Sequence, residues 1–176
     1  MTETSSEVVA IEFETPAGET LSFEWRADAL AAIDAQAPPD EPVWRLGGEL
    51  DWDAVERVRV LSARLGDGRV LGIAAILPAG AAGHGEELLA AVIGTDSTFE
   101  QLDQALLSTE RVAEGPPQRV GLELYPHGAE IALRIAGDAV GVASSEHGGV
   151  GRTSIALALR SAAGEGAGIL DLLTPH

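Results

Sequence analysis

Four histidines are the side chains of this sequence with ordinary titration near neutral pH, and two of them have carboxylates close by in the chain. His84 closes the glycine-rich run PAGAAGHG just before Glu86 and Glu87. A histidine whose second ring nitrogen is oriented by a carboxylate can work as a general acid–base pair, and His84 with Glu86 or Glu87 has that composition. The structural alternative is that His84 ties its loop by a backbone hydrogen bond while the two glutamates favour the start of a helix. Glu146 and His147, in SSEHGG, permit the same pair, either as part of a mobile lid or within a plain solvent-facing loop. His127 falls in an expected turn beside Gly128, and His176 is terminal.

Other chemistries are excluded more firmly. The chain has no cysteine, which removes disulfides, thiolate metal sites and cysteine nucleophiles. No two histidines have helical metal-ligand spacing and no HExxH or EF-hand word occurs, so no metal is expected. The glycines from Gly80 to Gly85 lack the Lys and Ser/Thr of a phosphate loop, and no GxGxxG opens a βαβ unit, so no cofactor is expected. Ser144 and Ser145 lack the context of a nucleophile elbow.

A binding site would draw on different residues. Trp25, Trp44, Trp52 and Tyr125 are rigid aromatic surfaces that could line an apolar pocket, or Trp44 and Trp52 could plug an opening in a core. Arg134, between Leu133 and Ile135, lies on the opposite strand face from them, as Glu123 does between Leu122 and Leu124. The two are expected to pair across neighbouring strands. Facing inward, they would give an apolar pocket a polar end for a carboxylate or carbonyl. Facing outward, they form a surface pair contributing about 0.2–1 kcal/mol.

The elements that position these residues are mainly strands. Apolar–polar alternation at 8–13 and 20–26 reads as a hairpin, and 28–37 as a short helix stopped by Pro38-Pro39. The segment 43–53 reads as a short strand leading into a loop, or as an extended strand covering a barrel edge. Gly66-Asp67-Gly68 marks a hairpin whose second strand, from Val70, is apolar on both faces and should be central and covered. Residues 86–93 read as a helix with an acidic start, and Ser97 with Glu100 fits a capping box opening a helix to about Ser108. A strand is the competing reading there. From Arg119 onward the chain alternates as β throughout. About nine strands with one to three short helices result, and closing the sheet or stacking two sheets is how so many strands hide their edges. The expected fold is a mostly β, calycin-type antiparallel β-barrel, with a β-sandwich as the alternative.

The 176 residues suit one domain, with 1–7 and 174–176 expected to be disordered. Asp and Glu number 28 against 11 basic residues, all Arg, for a formal net charge of -17. Such a charge repels phosphate backbones and anionic membranes, so neither nucleic acid nor membrane is an expected partner. The first ten residues show no secretory pattern, and a cytoplasmic location is the default expectation.

The runs DGRVLGIAAILPAGAAGHGEE, RVGLELYPHGAEIALRIAGDAVG and GEGAGILDLL carry a likeness at the level of a family. With Gly121, Glu123, Tyr125, Arg134, Gly137 and Gly168 as recurring positions, the chain resembles a lipocalin-like domain of bacterial carotenoid-hydratase-type proteins and their uncharacterised relatives. The resemblance implies a lipocalin-like barrel, and hydration, isomerisation or binding of an isoprenoid-like or polyketide-like molecule. Those proteins usually pack two barrels together, whereas this chain has residues for one and ends in LTPH.

Three functions follow as expectations. The first is binding of a small, largely apolar molecule. The second is a cofactor-free hydratase, isomerase or hydrolase using a His/Glu pair. The third is a structural module that forms a homodimer and holds no ligand.

Overall fold

The computed structural model describes residues 7–14, 18, 20–34, 36–80, 87–94, 98–102, 104–111, 115–126 and 132–175. Two strands, β1 (Val8–Glu14) and β2 (Thr20–Arg26), form the expected first hairpin, and a helix of one turn and a half follows, α1 (Ala27–Ala31). The helix is shorter than its sequence suggested. Only Leu30 within it is buried, so packing supports little more than this length. Strand β3 (Trp44–Gly47) joins β2 to complete a three-stranded antiparallel sheet, and a 3-10 turn at Trp52–Ala54 leads onward, as the strand-then-loop reading of 43–53 requires.

The rest of the chain is one antiparallel sheet of nine strands. They are β4 (Val55–Arg64), β5 (Val70–Pro78), β6 (Leu88–Gly94), β7 (Phe99–Leu102), β8 (Ala105–Arg111), β9 (Pro117–Leu124), β10 (Leu133–His147), β11 (Val150–Ser161) and β12 (Gly164–Pro175). Their spatial order is β7-β6-β5-β4-β12-β11-β10-β9-β8. Strands adjacent in sequence pair with each other all along this meander except at β7 and β8, and the last strand, β12, returns to pair with the first, β4. The sheet curls but stays open, its two ends being the consecutive strands β7 and β8.

The curl encloses an aliphatic core to which all nine strands contribute, among them Leu61, Ile73, Ile93, Leu102, Leu107, Leu122, Ile135, Leu157 and Leu170. A second core lies on the outer face of β4, β5, β6 and β12. There Val60, Ala74, Val92 and Ile169 meet Ile11, Phe23, Trp25 and Leu30 from the small sheet and helix. Strand β5 therefore has core on both sides, and every residue from Val70 to Leu77 is buried, which explains its unbroken apolar run. Gly72 interrupts that run because the Trp25 indole rests on it. A Cβ there would come within 3.0 Å of three ring carbons.

Two expected helices are strands. Residues 88–94 form β6, and the segment read as a capped helix to Ser108 is divided between β7 and β8. Leu88 to Ala91 are good helix formers, but the β-branched Val92 and Ile93, the free backbone edge of β5 and apolar surface on both sides of the sheet outweigh that local preference. The SSEHGG stretch is also not a loop. Ser144 to His147 belong to β10, and Gly148-Gly149, with φ of 58° and 82°, form a two-residue hairpin turn that sets His147 opposite Val150. Beside this same end of β11, residues 174 and 175 are paired strand, because Gly151 and Val150 continue the ladder next to them.

Candidate functional site

The most unusual chemistry of the described structure lies inside the curl, at the end of β4. Side chains alternate along a strand, so Arg57 and Arg59 share the face of Leu61 and Ala63, which point into the enclosed core. Arg59 sits between Ala75 of β5 and Leu172 of β12, and Arg57 lies opposite Leu77. The side chain of Arg59 is 4% exposed. A guanidinium this deep requires a counterion. Glu87, 6% exposed, supplies it: Glu87 Oε2 accepts from Arg59 Nε at 3.0 Å, and Oε1 accepts from Arg59 Nη2.

Arg57 is less well provided for. Its Nη2 lies 3.9 Å from Glu87 Oε2, an ion-pair distance too long for a hydrogen bond. Its Nε is buried and has no hydrogen-bond partner among the described residues. Burial lowers the Arg57 pKa from its ordinary value, the like charge of Arg59 lowers it further, Glu87 opposes the shift, and Arg111 adds to it.

Arg59 and Glu87 reach the break in the sheet, and Arg57 stands next to them, 3.9 Å from Glu87. Strand β7 pairs with β6 only from Ala91 to Gly94, so Leu88, Leu89 and Ala90 have a ladder partner on the β5 side alone. Among the described residues strand β8 pairs only with β9. The facing edges of β6 and β8 pack together without a ladder and leave an open depression of about 440 Å³. Leu89, Ala105, Leu107 and Thr109 line it, and Arg59 and Glu87 reach it from within.

The residues singled out by sequence are distributed elsewhere, with Glu87 as the exception. Its carboxylate is engaged by Arg59. His84 and Glu86 lie outside the described residues, as do His127 and His176 and the side chain of His147. Glu146 is exposed on β10 opposite Gly151. Trp25 and Trp44 are direct neighbours across β2 and β3, and both border a second open depression, of about 410 Å³, with Val8, Ala29 and Val43. Trp25 presents almost no surface to it, being 1% exposed with its Nε1 donating to Ser62 Oγ at 2.8 Å. Trp44 packs on Phe23 and donates to Asp171 Oδ2 at 2.7 Å. Trp52 is packed against the outer core from the 3-10 turn.

Glu123, Tyr125 and Arg134 do come together, on the exposed face of β9 and β10. Arg134 pairs with Glu123 across the ladder, its Nε and Nη2 each 3.4 Å from Glu123 Oε1, and its side chain is 80% exposed. A hydrogen bond to Glu123 raises the Tyr125 phenol above its ordinary pKa. The pair is a surface one. Arg134→Ala is expected to change unfolding free energy by less than about 1 kcal/mol in urea titration, and a larger loss would show that the pair carries more of the fold than its exposure implies.

No protein-family model matches this chain, and no curated protein does. Among the described residues no three His, Asp or Glu side chains gather as a metal ion would need, and no helix is long and apolar enough to cross a membrane. The candidate site therefore rests on geometry. Sequence reasoning passed over Arg57 and Arg59, although a signal was present: the phase Arg57, Arg59, Leu61, Ala63 places two charges on the face that becomes core.

Proposed function

We propose that the protein is a lipocalin-like binding protein for a small, largely apolar molecule, held at the seam between β6 and β8 and not in a central cavity. The observation that carries this reading is the missing ladder between the two strands, which leaves a depression lined by Leu89, Ala105 and Leu107. Small-molecule sites combine apolar walls with a few polar groups that fix orientation, and the Arg59–Glu87 pair is such a group at this wall. An up-and-down meander whose first and last strands pair, with one opening, accords with the calycin-type barrel that the family resemblance implies. The interior of the curl is occupied by aliphatic side chains, so a ligand would enter beside the core without replacing it.

Titration with decanol, followed by backbone amide chemical shifts, tests the reading. The largest changes are expected at Leu89, Leu107 and Thr109, with saturable binding. Thr109→Trp, which places an indole in the depression, is expected to abolish those changes while thermal unfolding stays cooperative. Shifts confined to the Trp44 depression, or no saturation, would remove the seam from consideration.

A further inference from the structure

Resting on the seam as the binding site, the geometry points to the class of molecule it takes: we infer that the ligand is a monocarboxylate, its carboxylate held by Arg57 and its apolar body lying against Leu89, Ala105 and Leu107. The chain has eleven basic residues in all, and two of them, Arg59 and Arg111, act on Arg57. Elsewhere, apart from the buried and fully engaged pair Arg152–Asp171, the ion pairs of the described residues lie at the surface. Arg119 and Arg160, for example, share Asp138 with side chains more than half exposed, where water completes their hydration.

At the seam the accounting differs. Both oxygens of Glu87 are engaged by Arg59, so among the described residues Arg57 has a carboxylate nearby but none at hydrogen-bond distance. Buried donors are nearly always hydrogen-bonded, and Arg57 Nε is buried without a partner among the described residues. Arg57, Arg59 and Arg111 against Glu87 and Glu56 leave one positive charge, and a single negative charge is what neutralises it. A planar carboxylate also matches a guanidinium edge, accepting from Nε and Nη2 together. A phosphate ester can carry a second charge, which this balance does not neutralise. Arg111, exposed at the end of β8, adds to the positive potential felt at Arg57. The polar end is thus selective by charge and shape, whereas the apolar wall is permissive.

Isothermal titration of the full chain at pH 8 with decanoate, decanol and decyl phosphate, each below its aggregation limit, tests the assignment. Decanoate is expected to bind at least about tenfold more tightly than decanol, because hydrogen bonds to charged groups contribute more than neutral ones. Arg57→Gln is expected to bring the decanoate-to-decanol ratio close to one, and Arg57→Lys to restore part of it. Using the ratio separates loss of recognition from loss of fold, since an altered seam weakens both ligands alike. Equal affinities in the unmodified protein, or a ratio untouched by Arg57→Gln, would overturn the carboxylate assignment and leave the apolar seam standing. Tighter binding of decyl phosphate would assign the site to a different anion. Failure of all three probes would sink the seam reading and this inference together.

Discussion

Asp171→Ala is expected to destabilise the protein by about 3–5 kcal/mol, the range for removing one partner of a buried ion pair. Asp171 is fully buried on β12, with Oδ1 accepting from Arg152 Nε at 3.0 Å and Oδ2 from Trp44 Nε1 at 2.7 Å. Arg152 also donates through Nη1 to the Asp40 carbonyl and through Nη2 to the Pro39 carbonyl. One carboxylate therefore joins the nine-stranded sheet, the small sheet and the segment before β3. Its removal leaves the Arg152 charge buried without a counterion and the Trp44 N–H without an acceptor. Urea unfolding followed by tryptophan fluorescence measures the loss. A change below about 1 kcal/mol would mean that water reaches Arg152 and that the network is not closed as described. Replacing Asp171 and Arg152 together by apolar residues is expected to cost less than Asp171→Ala alone, because no orphaned charge remains.

Trp25→Ala is expected to cost about 3–5 kcal/mol, as large aromatic truncations in packed cores do. The indole lies flat over Gly72 between the two sheets, and its N–H satisfies the buried Ser62 hydroxyl. Truncation removes the packing and leaves Ser62 without that partner. Trp25→Phe keeps most of the ring volume and loses the hydrogen bond, so a smaller loss of about 1–3 kcal/mol is expected. Thermal and urea unfolding of the two variants, compared with the parent, resolve the packing part from the polar part. Similar losses for both would place nearly all of the effect in the hydrogen bond, contrary to the area this side chain buries.

Much of the architecture was legible because its signal is local and repeats every second residue. The first hairpin, the Gly66-Asp67-Gly68 turn, the covered strand from Val70 and the β character beyond Arg119 all follow from alternation and turn chemistry. The cross-strand pairing of Glu123 with Arg134 was also predictable from phase. Leu88 to Ile93 and Phe99 to Ser108 were not, since their residues suit helix and strand almost equally. The position of an unsatisfied neighbouring strand decides between them, and that is a property of the assembled sheet.

The candidate site divides in the same way. By itself, the sequence determined that this is an acidic, mostly β chain without thiol chemistry, and that its apolar faces must be covered by other strands. Only the tertiary structure decided that the sheet stays open between β7 and β8, that Trp25 belongs to the core between the two sheets, and that Arg57 and Arg59 share one carboxylate beside the opening. The physical reason is range. Alternation and turn preferences act over a few residues, whereas the environment of Arg59 is set by Glu87, 28 positions away, and by Leu172 across the ladder. Whether a charge on a strand meets water or a buried partner depends on contacts made only when the sheet curls.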